Sequence, residues 1–349
     1  MQDVKPTIYD IAQAAGVSTA TVSKVLNNTG RISEKTRRNI LRIIEEMDYQ
    51  PSIVASALTG KKTHTIGLLL PDLANPYFSE IARNIEDRGH DHGFSVIICS
   101  TDNKPEKVSH YISILRQKRV DGIIIATGVR DEKVLKELNR RDIPFALIAR
   151  ELPMLAAHTV LVDDFMGGYL AASHLAEWGH RKIAIIAEDL QLTSSKERVR
   201  GWRSALEEHG ITCDEKWVVI GDFTVEGGKR AMHRLLDLPD RPTAVFACND
   251  LLAIGSIQAA RERGLSVPDD VSVVGFDNTI LATIIDPPLT TVAQPIREIG
   301  RQVMDLLVRE IEERKQVKQR VVLLPELIIR QSTKRLAPAS PTDGNDDRE

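Results

Sequence analysis

Cysteine is scarce in this 349-residue chain: Cys99, Cys213 and Cys248 stand far apart, odd in number and with no C-x-x-C pair. That excludes a disulfide framework and argues against a cysteine-built zinc site. Cys99 and Cys248 end the apolar runs V-I-I-C and A-V-F-A-C and are expected as small buried hydrophobes. No apolar run approaches the roughly 18–20 residues of a membrane helix. Met1–Tyr9 has no apolar core of a secretory signal. A cytoplasmic location without a membrane partner is therefore expected. The glycine patterns G-x-G-x-x-G and G-x-x-x-x-G-K-[ST] are missing, since Gly60-Lys61-Lys62 has no leading glycine. H-E-x-x-H and G-x-S-x-G are missing as well. The nine histidines are scattered, and His180, in W-G-H-R-K ahead of a strand, reads as a turn residue. With no catalytic constellation in view, the expectation is a protein that is not an enzyme and holds no catalytic cofactor or metal.

Net charge is also small, −3, but it is unevenly spread. Residues 1–62 carry nine Lys and Arg against six Asp and Glu, leaving 37 against 43 for the rest. A basic head on an acidic body points weakly to a polyanion partner for the head alone. The head reads as helical. Thr7-x-x-Asp10 is a capping box for a helix over Ile8–Ala15, broken by Gly16. Ser18 caps a second helix, Thr19–Leu26, with Val22, Val25 and Leu26 on one face. Ser33–Thr36 opens a third, whose apolar stripe is read as Ile40, Leu41, Ile43, Ile44 and Met47. Helix, glycine turn and capped helix make a helix-turn-helix. Val22 and Val25 anchor the second helix inward, which leaves Thr19, Ala20 and Lys24 to face a major groove. Tyr9, Ser18, Thr21, Ser23 and Asn27 are short donors suited to phosphates. Spacing alone leaves DNA binding beside an ordinary helical bundle. Residues 51–63 read as a linker in which Ile53–Leu58 could form about two helical turns, too short to stand alone in water.

From His64 the texture changes. Strand-like runs at 65–70, 94–99, 122–126, 145–148, 159–162, 182–187, 217–220, 244–247 and 271–274 alternate with helical stretches. The helices fall near 76–92, 105–118, 131–141, 166–178, 196–209, 225–236 and 250–263. Strands apolar on both faces and separated by helices predict an α/β fold with two doubly wound parallel-sheet lobes. Ligands in such sheets lie beyond the carboxyl ends of the strands. The polar residues just after strand runs are therefore candidates: Asp72 and Asn75, Arg150, Asp163, Asn249-Asp250, Asp277 and Gln294, with Arg198 near a helix start. Tyr77, Phe78, Phe165, Trp202, Phe223 or Phe276 could cover the face of a bound ring. Asp250 is expected as the cap of the helix that follows it. A surface ion pair with Glu197 or Glu188 is the plain alternative for Arg198.

The stretch TIYDIAQAAGVSTATVSKVLNNTGRISEKTRRNI, followed by YQPSIVASAL, closely resembles the headpiece of the LacI–GalR family of bacterial transcription repressors. Further matches run through IGLLLPDLANPYFSEI, KRVDGIII, HLAEWGHRKIAII, RPTAVFACNDLLAIG, VPDDVSVVGFDN and PPLTTVAQP, so that the resemblance spans about residues 5–335. It implies a ligand-responsive repressor that binds a near-palindromic double-stranded operator as a homodimer. It implies a headpiece over 1–50 and a hinge over 51–63. Two lobes of periplasmic-binding-protein type would take 64–162 with 293–319 and 163–292 with 320–335. A disordered tail is expected over 336–349. No leucine heptad follows Arg335, so a dimer rather than a tetramer is expected. Arg31 joins the implied DNA contacts. The hinge would fold on DNA, with Leu58 as a minor-groove wedge and Ala55 beside it. Lys24 would read a base edge, guanine first, or failing that a phosphate.

For the body, the resemblance assigns effector contacts to Arg198, Asn249, Asp277 and Gln294, with Phe223 and Tyr77 on the pocket wall. The chain departs from the pattern where many sugar-responsive members have Asp after the strand Phe145–Ile148: here Ala149 precedes Arg150. Arg150 could favour an anionic or phosphorylated effector, but Arg follows that position in sugar binders too. The effector class stays open between a sugar, the first choice, and a nucleoside, a purine or a protein co-regulator. The rival from another class, a transporter's solute-binding protein, would need a signal sequence and would have no use for residues 1–62.

Overall fold

The computed structural model describes residues 6–26, 29–49, 62–127, 143–149, 156–313 and 317–336. It divides into two compact units, one up to His64 and one from Thr65 onward. The expected helix at 131–141, the hinge helix and the terminal tail beyond residue 336 lie outside the described residues.

The first unit holds three helices, α1 (Ile8–Ala15), α2 (Thr19–Leu26) and α3 (Glu34–Glu46). At the head of α1 the Asp10 carboxylate accepts from the Thr7 amide and the Thr7 hydroxyl, each at 2.7 Å. Gly16 ends α1 at φ 65°, a left-handed conformation that L side chains adopt poorly. The Val17 amide then returns to the Ala12 carbonyl at 3.0 Å, which turns the chain sharply into α2. Ser18 and Ser33 cap α2 and α3 by accepting from the amides of Thr21 and Thr36. Ile11, Ala12, Val22, Val25, Ile40 and Ile43 form the core. Leu41 corrects the expected stripe: it is 47% exposed. One residue past Ile40 is about 100° round a helix, so Ile40, Ile43, Ile44 and Met47 keep the i, i+3, i+4, i+7 face and Leu41 leaves it.

The second unit is built on two six-stranded sheets. The strands are β1 (Thr65–Leu70), β2 (Ser95–Ser100), β3 (Gly122–Ile125), β4 (Phe145–Ile148), β5 (His158–Val162), β6 (Ile183–Ala187), β7 (Val218–Ile220), β8 (Ala244–Ala247), β9 (Ser272–Asp277), β10 (Thr290–Ala293), β11 (Arg320–Leu323) and β12 (Glu326–Ile328). The first sheet runs β11-β5-β4-β3-β1-β2, with every pair parallel. The second runs β12-β10-β9-β8-β6-β7, parallel except for β12 against β10. Strand order reverses between β1 and β3 in one sheet and between β6 and β8 in the other. The helices are α4 (Pro76–Asp91), α5 (Pro105–Gln117), α6 (Asp164–Glu177), α7 (Thr193–Glu208), α8 (Val225–Leu236), α9 (Asp250–Glu262), α10 (Leu281–Ile284) and α11 (Ile296–Glu313). None among the described residues is long and apolar enough to cross a membrane.

Beyond Val274 the structure adds elements that the run pattern does not mark, β10 to β12 and α11. β10 opens with two threonines, and β11 and β12 are only four and three residues long. The chain passes between the sheets at Asp163, at Gln294-Pro295 and at Leu324-Pro325. Residues 320–323 therefore belong to the first lobe and not, as expected, to the second. They pair in parallel with β5, from Arg320 opposite Thr159 to Leu323 opposite Val162, and the chain crosses back only afterwards. In the first lobe α11 lays Ile299, Val303, Leu307 and Ile311 onto a core that includes Ile66, Leu68 and Ile124. In the second, Trp202, Phe246 and Phe276 are fully buried. There α6 and α7 touch backbone to backbone: a Cβ on Gly168 would stand 2.1 Å from the Arg198 carbonyl oxygen, and one on Gly201 2.0 Å from that of Phe165. That contact fixes where the side chain of Arg198 emerges.

Candidate functional site

Two regions carry the expected contacts. In the first unit, Tyr9 is 73% exposed on the opening turn of α1. Ala20 and Lys24 are exposed on α2, Arg31 is exposed between α2 and α3, and Thr19, Thr21 and Ser23 are half-buried. The exposed residues lie across α2 from Val22 and Val25. Ser18 is exposed, but its hydroxyl already caps α2 and lies 3.0 Å from that of Thr21. The Lys24 stem runs over Gly30, where a Cβ would meet its Cδ at 3.2 Å. No carboxylate among the described residues pairs with the Lys24 ammonium. Asn27, Ala55 and Leu58 lie outside the described residues.

In the second unit a cleft opens where the carboxyl ends of both sheets face each other. It encloses about 650 Å³ of space outside the atoms, its open mouth included. Of the expected residues, Asn75, Tyr77, Phe78, Arg198, Phe223, Asn249, Asp277 and Gln294 line it. Arg150 lies outside the described residues, although its neighbour Ala149 is in the wall. Asp163 is a correction. Its carboxylate accepts from the Met166 amide at 2.9 Å and caps α6, so that the next residue, Asp164, is the one that faces the cleft. Asp250 is a second correction. Asn249 caps α9 by accepting from the Leu252 amide at 2.7 Å. Asp250 instead turns inward and accepts from the Thr279 amide and hydroxyl and from the Thr291 hydroxyl. Asp72 is held by its own turn through the Ala74 amide. Trp202 and Phe276 belong to the core, and Phe165 lies under Arg200. Glu188, Leu192, Ser194 and Asn103 also line the cleft. Glu188 directly follows β6, so the rule that selected polar residues just after apolar strand runs would have found it. Which of two adjacent Asp residues caps a helix is set by backbone geometry and has no sequence signal.

Arg198 is at the centre. Its Nε donates to Asp164 Oδ1 at 2.8 Å, its Nη1 donates to the Cys248 carbonyl, and its guanidinium carbon lies over the Phe276 ring, 3.6 Å from the centroid. The surface ion pair is thereby excluded for Arg198, and Glu197 binds Arg200 instead. Burial works against the charge of Arg198, but the carboxylates of Asp164, Glu188 and Asp277 outweigh it and hold the guanidinium cationic. Burial also pushes the Asp277 carboxyl well above the usual carboxylate range, against the pull of Arg198. Glu188 is raised by the same burial, opposed by Arg198 and by the Asn249 amide. Asn249 Nδ2 donates to Glu188 Oε1 at 2.5 Å. A chain of hydrogen bonds then joins the lobes. The Tyr77 hydroxyl, on α4, donates to Gln294 Oε1 at 3.0 Å, and Gln294 Nε2 donates to Asp277 Oδ1 at 2.7 Å. Asp277 sits at φ 111°, an uncommon conformation of the kind that concentrates at functional sites. Such a wall can bind a hydroxylated molecule through paired acceptors and donors, with Tyr77, Phe78 and Phe223 against its apolar faces.

Known protein families match parts of both units. Residues 7–52 match the bacterial regulatory proteins of the lacI family, and residues 172–333 match a periplasmic binding protein-like domain. The HTH-type transcriptional regulator DegA of Bacillus subtilis is 49% identical over 333 residues, covering 95% of this chain and 98% of its own. The lac repressor dimer bound to operator and the anti-inducer ONPF superposes with a TM-score of 0.85 at 30% identity, covering 95% of this chain and 100% of that one. A LacI family transcriptional regulator from Enterococcus faecium with bound ribose has a TM-score of 0.73 at 35% identity, covering 78% of this chain and 100% of that one.

Proposed function

The chain belongs to the lacI family of bacterial regulatory proteins, and from that membership we propose that it works in the cytoplasm as a homodimeric repressor whose grip on operator DNA is set by a small hydroxylated effector, a sugar in the first instance. The observation that carries this reading is the convergence of Arg198, Asn249, Asp277 and Gln294 on one cleft at the strand ends. In the same chain α2 presents Ala20 and Lys24 outward. Binding rather than turnover is proposed for the cleft. The Tyr77–Gln294–Asp277 chain spans the two lobes. An effector hydroxyl that takes over Asp277 or Gln294 therefore alters a link between them. Lobe closure biased in this way is an ordinary two-state switch, with a coupling of typically about 1–3 kcal/mol.

The test is selection of a randomised double-stranded DNA pool on the full chain. A near-palindromic sequence is expected to emerge, and removing residues 1–62 is expected to abolish its binding. No enrichment would refute the reading. Lys24→Ala is expected to relax preference at one position in each half-site, by about 1–3 kcal/mol. An equal loss on every sequence would make Lys24 a phosphate contact.

A further inference from the structure

The charge inventory of the cleft is lopsided. Among the described residues that line it, the carboxylates are Asp164, Glu188 and Asp277, and the one cation is Arg198. Arg198 is already committed to Asp164, to a backbone carbonyl and to the Phe276 ring. Glu188 and Asp277 are only 4% and 5% exposed. Each receives a single N–H, from the neutral amides of Asn249 and Gln294. A neutral amide satisfies one oxygen and cancels no charge. The second oxygen of each carboxylate has no donor among the described residues.

We propose that the cleft is built for a hydroxylated effector that carries an ammonium group, an amino sugar or a comparable amine-bearing polyol, seated between Glu188 and Asp277. The proposal rests on the reading of this cleft as the effector site and names the chemistry it selects. Among the described residues, a neutral sugar would leave two carboxylates without a cation of their own as the lobes close. An ammonium supplies three donors and the missing charge. A phosphorylated or carboxylated effector would add like charge to an acidic wall and be rejected.

The test uses the full chain and calorimetric titration at neutral pH with glucosamine, galactosamine and mannosamine. Each is compared with its parent hexose, its N-acetyl derivative and its 6-phosphate. At least one amine is expected to bind about tenfold or more tightly than its parent hexose and its N-acetyl derivative, and Glu188→Gln is expected to erase that preference. A hexose that binds as well as its amine overturns the proposal and leaves a sugar-responsive regulator in place. A preference for the phosphate overturns it. If nothing in the set binds while the selected operator is still held, the amine proposal falls and the DNA-binding reading survives. If operator binding fails too, the function itself is refuted. A second measurement needs no ligand. Glu188→Gln is expected to raise the melting midpoint at mildly alkaline pH by a few degrees, because it removes an uncompensated buried charge. An unchanged or lower midpoint overturns the proposal.

Discussion

The two lobes of the second unit share a strand order and divide the chemistry of the cleft unequally. Each sheet reverses its order beside its first strand, and each directs its strand ends into the cleft. Among the described residues, the polar and aromatic side chains that the first lobe contributes are Asn75, Tyr77, Phe78 and Asn103, all uncharged. The second contributes Asp164, Glu188, Arg198 and Asp277. Topology fixes where the cleft lies, and the side chains that reach it from the strand ends and from the helices α6 and α7 fix what it can hold. The lobes differ in their edges as well: β11 continues the parallel order of one sheet, while β12 closes the other antiparallel.

The largest expected effect tests that asymmetry directly. Arg198→Met leaves Asp164, Glu188 and Asp277 without a buried cation, and should cost about 3–5 kcal/mol of stability in chemical denaturation. A cost below that of any first-lobe wall substitution would break the comparison.

Acid should separate the lobes next. In the second, burial first and the nearby His180 second push His174 from its ordinary 6.5 down to about 4. Its partners are the Thr333 hydroxyl and the Trp178 ring, neither of them a carboxylate. The unfolded chain takes up a proton that the folded lobe refuses, so this contribution to stability is complete above 6.5 and is lost as pH falls towards about 4. At about pH 5 the loss should be roughly 2 kcal/mol, and His174→Gln should flatten that part of the stability profile. In the first lobe burial also lowers His158, but Glu310 stands 3.4 Å away and supports the imidazolium. An acid profile unchanged by His174→Gln would remove this difference between the lobes.

The smallest expected effect belongs to the first lobe. Tyr77→Phe removes the hydrogen bond to Gln294 and should cost about 1 kcal/mol in denaturation. If it cost as much as Arg198→Met, the hydrogen-bond chain rather than the charge cluster would hold the cleft.

Much of this was legible in the residues themselves. The helix-turn-helix follows from Thr7, Asp10, Gly16 and Ser18, because capping and a left-handed turn are local chemistry. The strand runs of the two sheets follow from continuous apolar stretches. Local patterns could not show that β11 joins the first sheet, since a four-residue strand carries no mark of its partner. Nor could they separate Asp163 from Asp164, or Asn249 from Asp250. Both members of each pair suit a cap, and the turn geometry alone decides which one turns inward.

Sequence by itself determined the family, the three helices of the first unit, the doubly wound class and most of the residues around the cleft. These depend on spacing and side-chain type within one element. Tertiary structure alone decided that Arg198 would lie buried on Phe276 and that Glu188 and Asp277 would line the same cleft as this committed cation. Those facts arise from contacts between residues far apart in the chain, from the backbone approach of Gly168 and Gly201 that aims Arg198, and from the way burial magnifies charge.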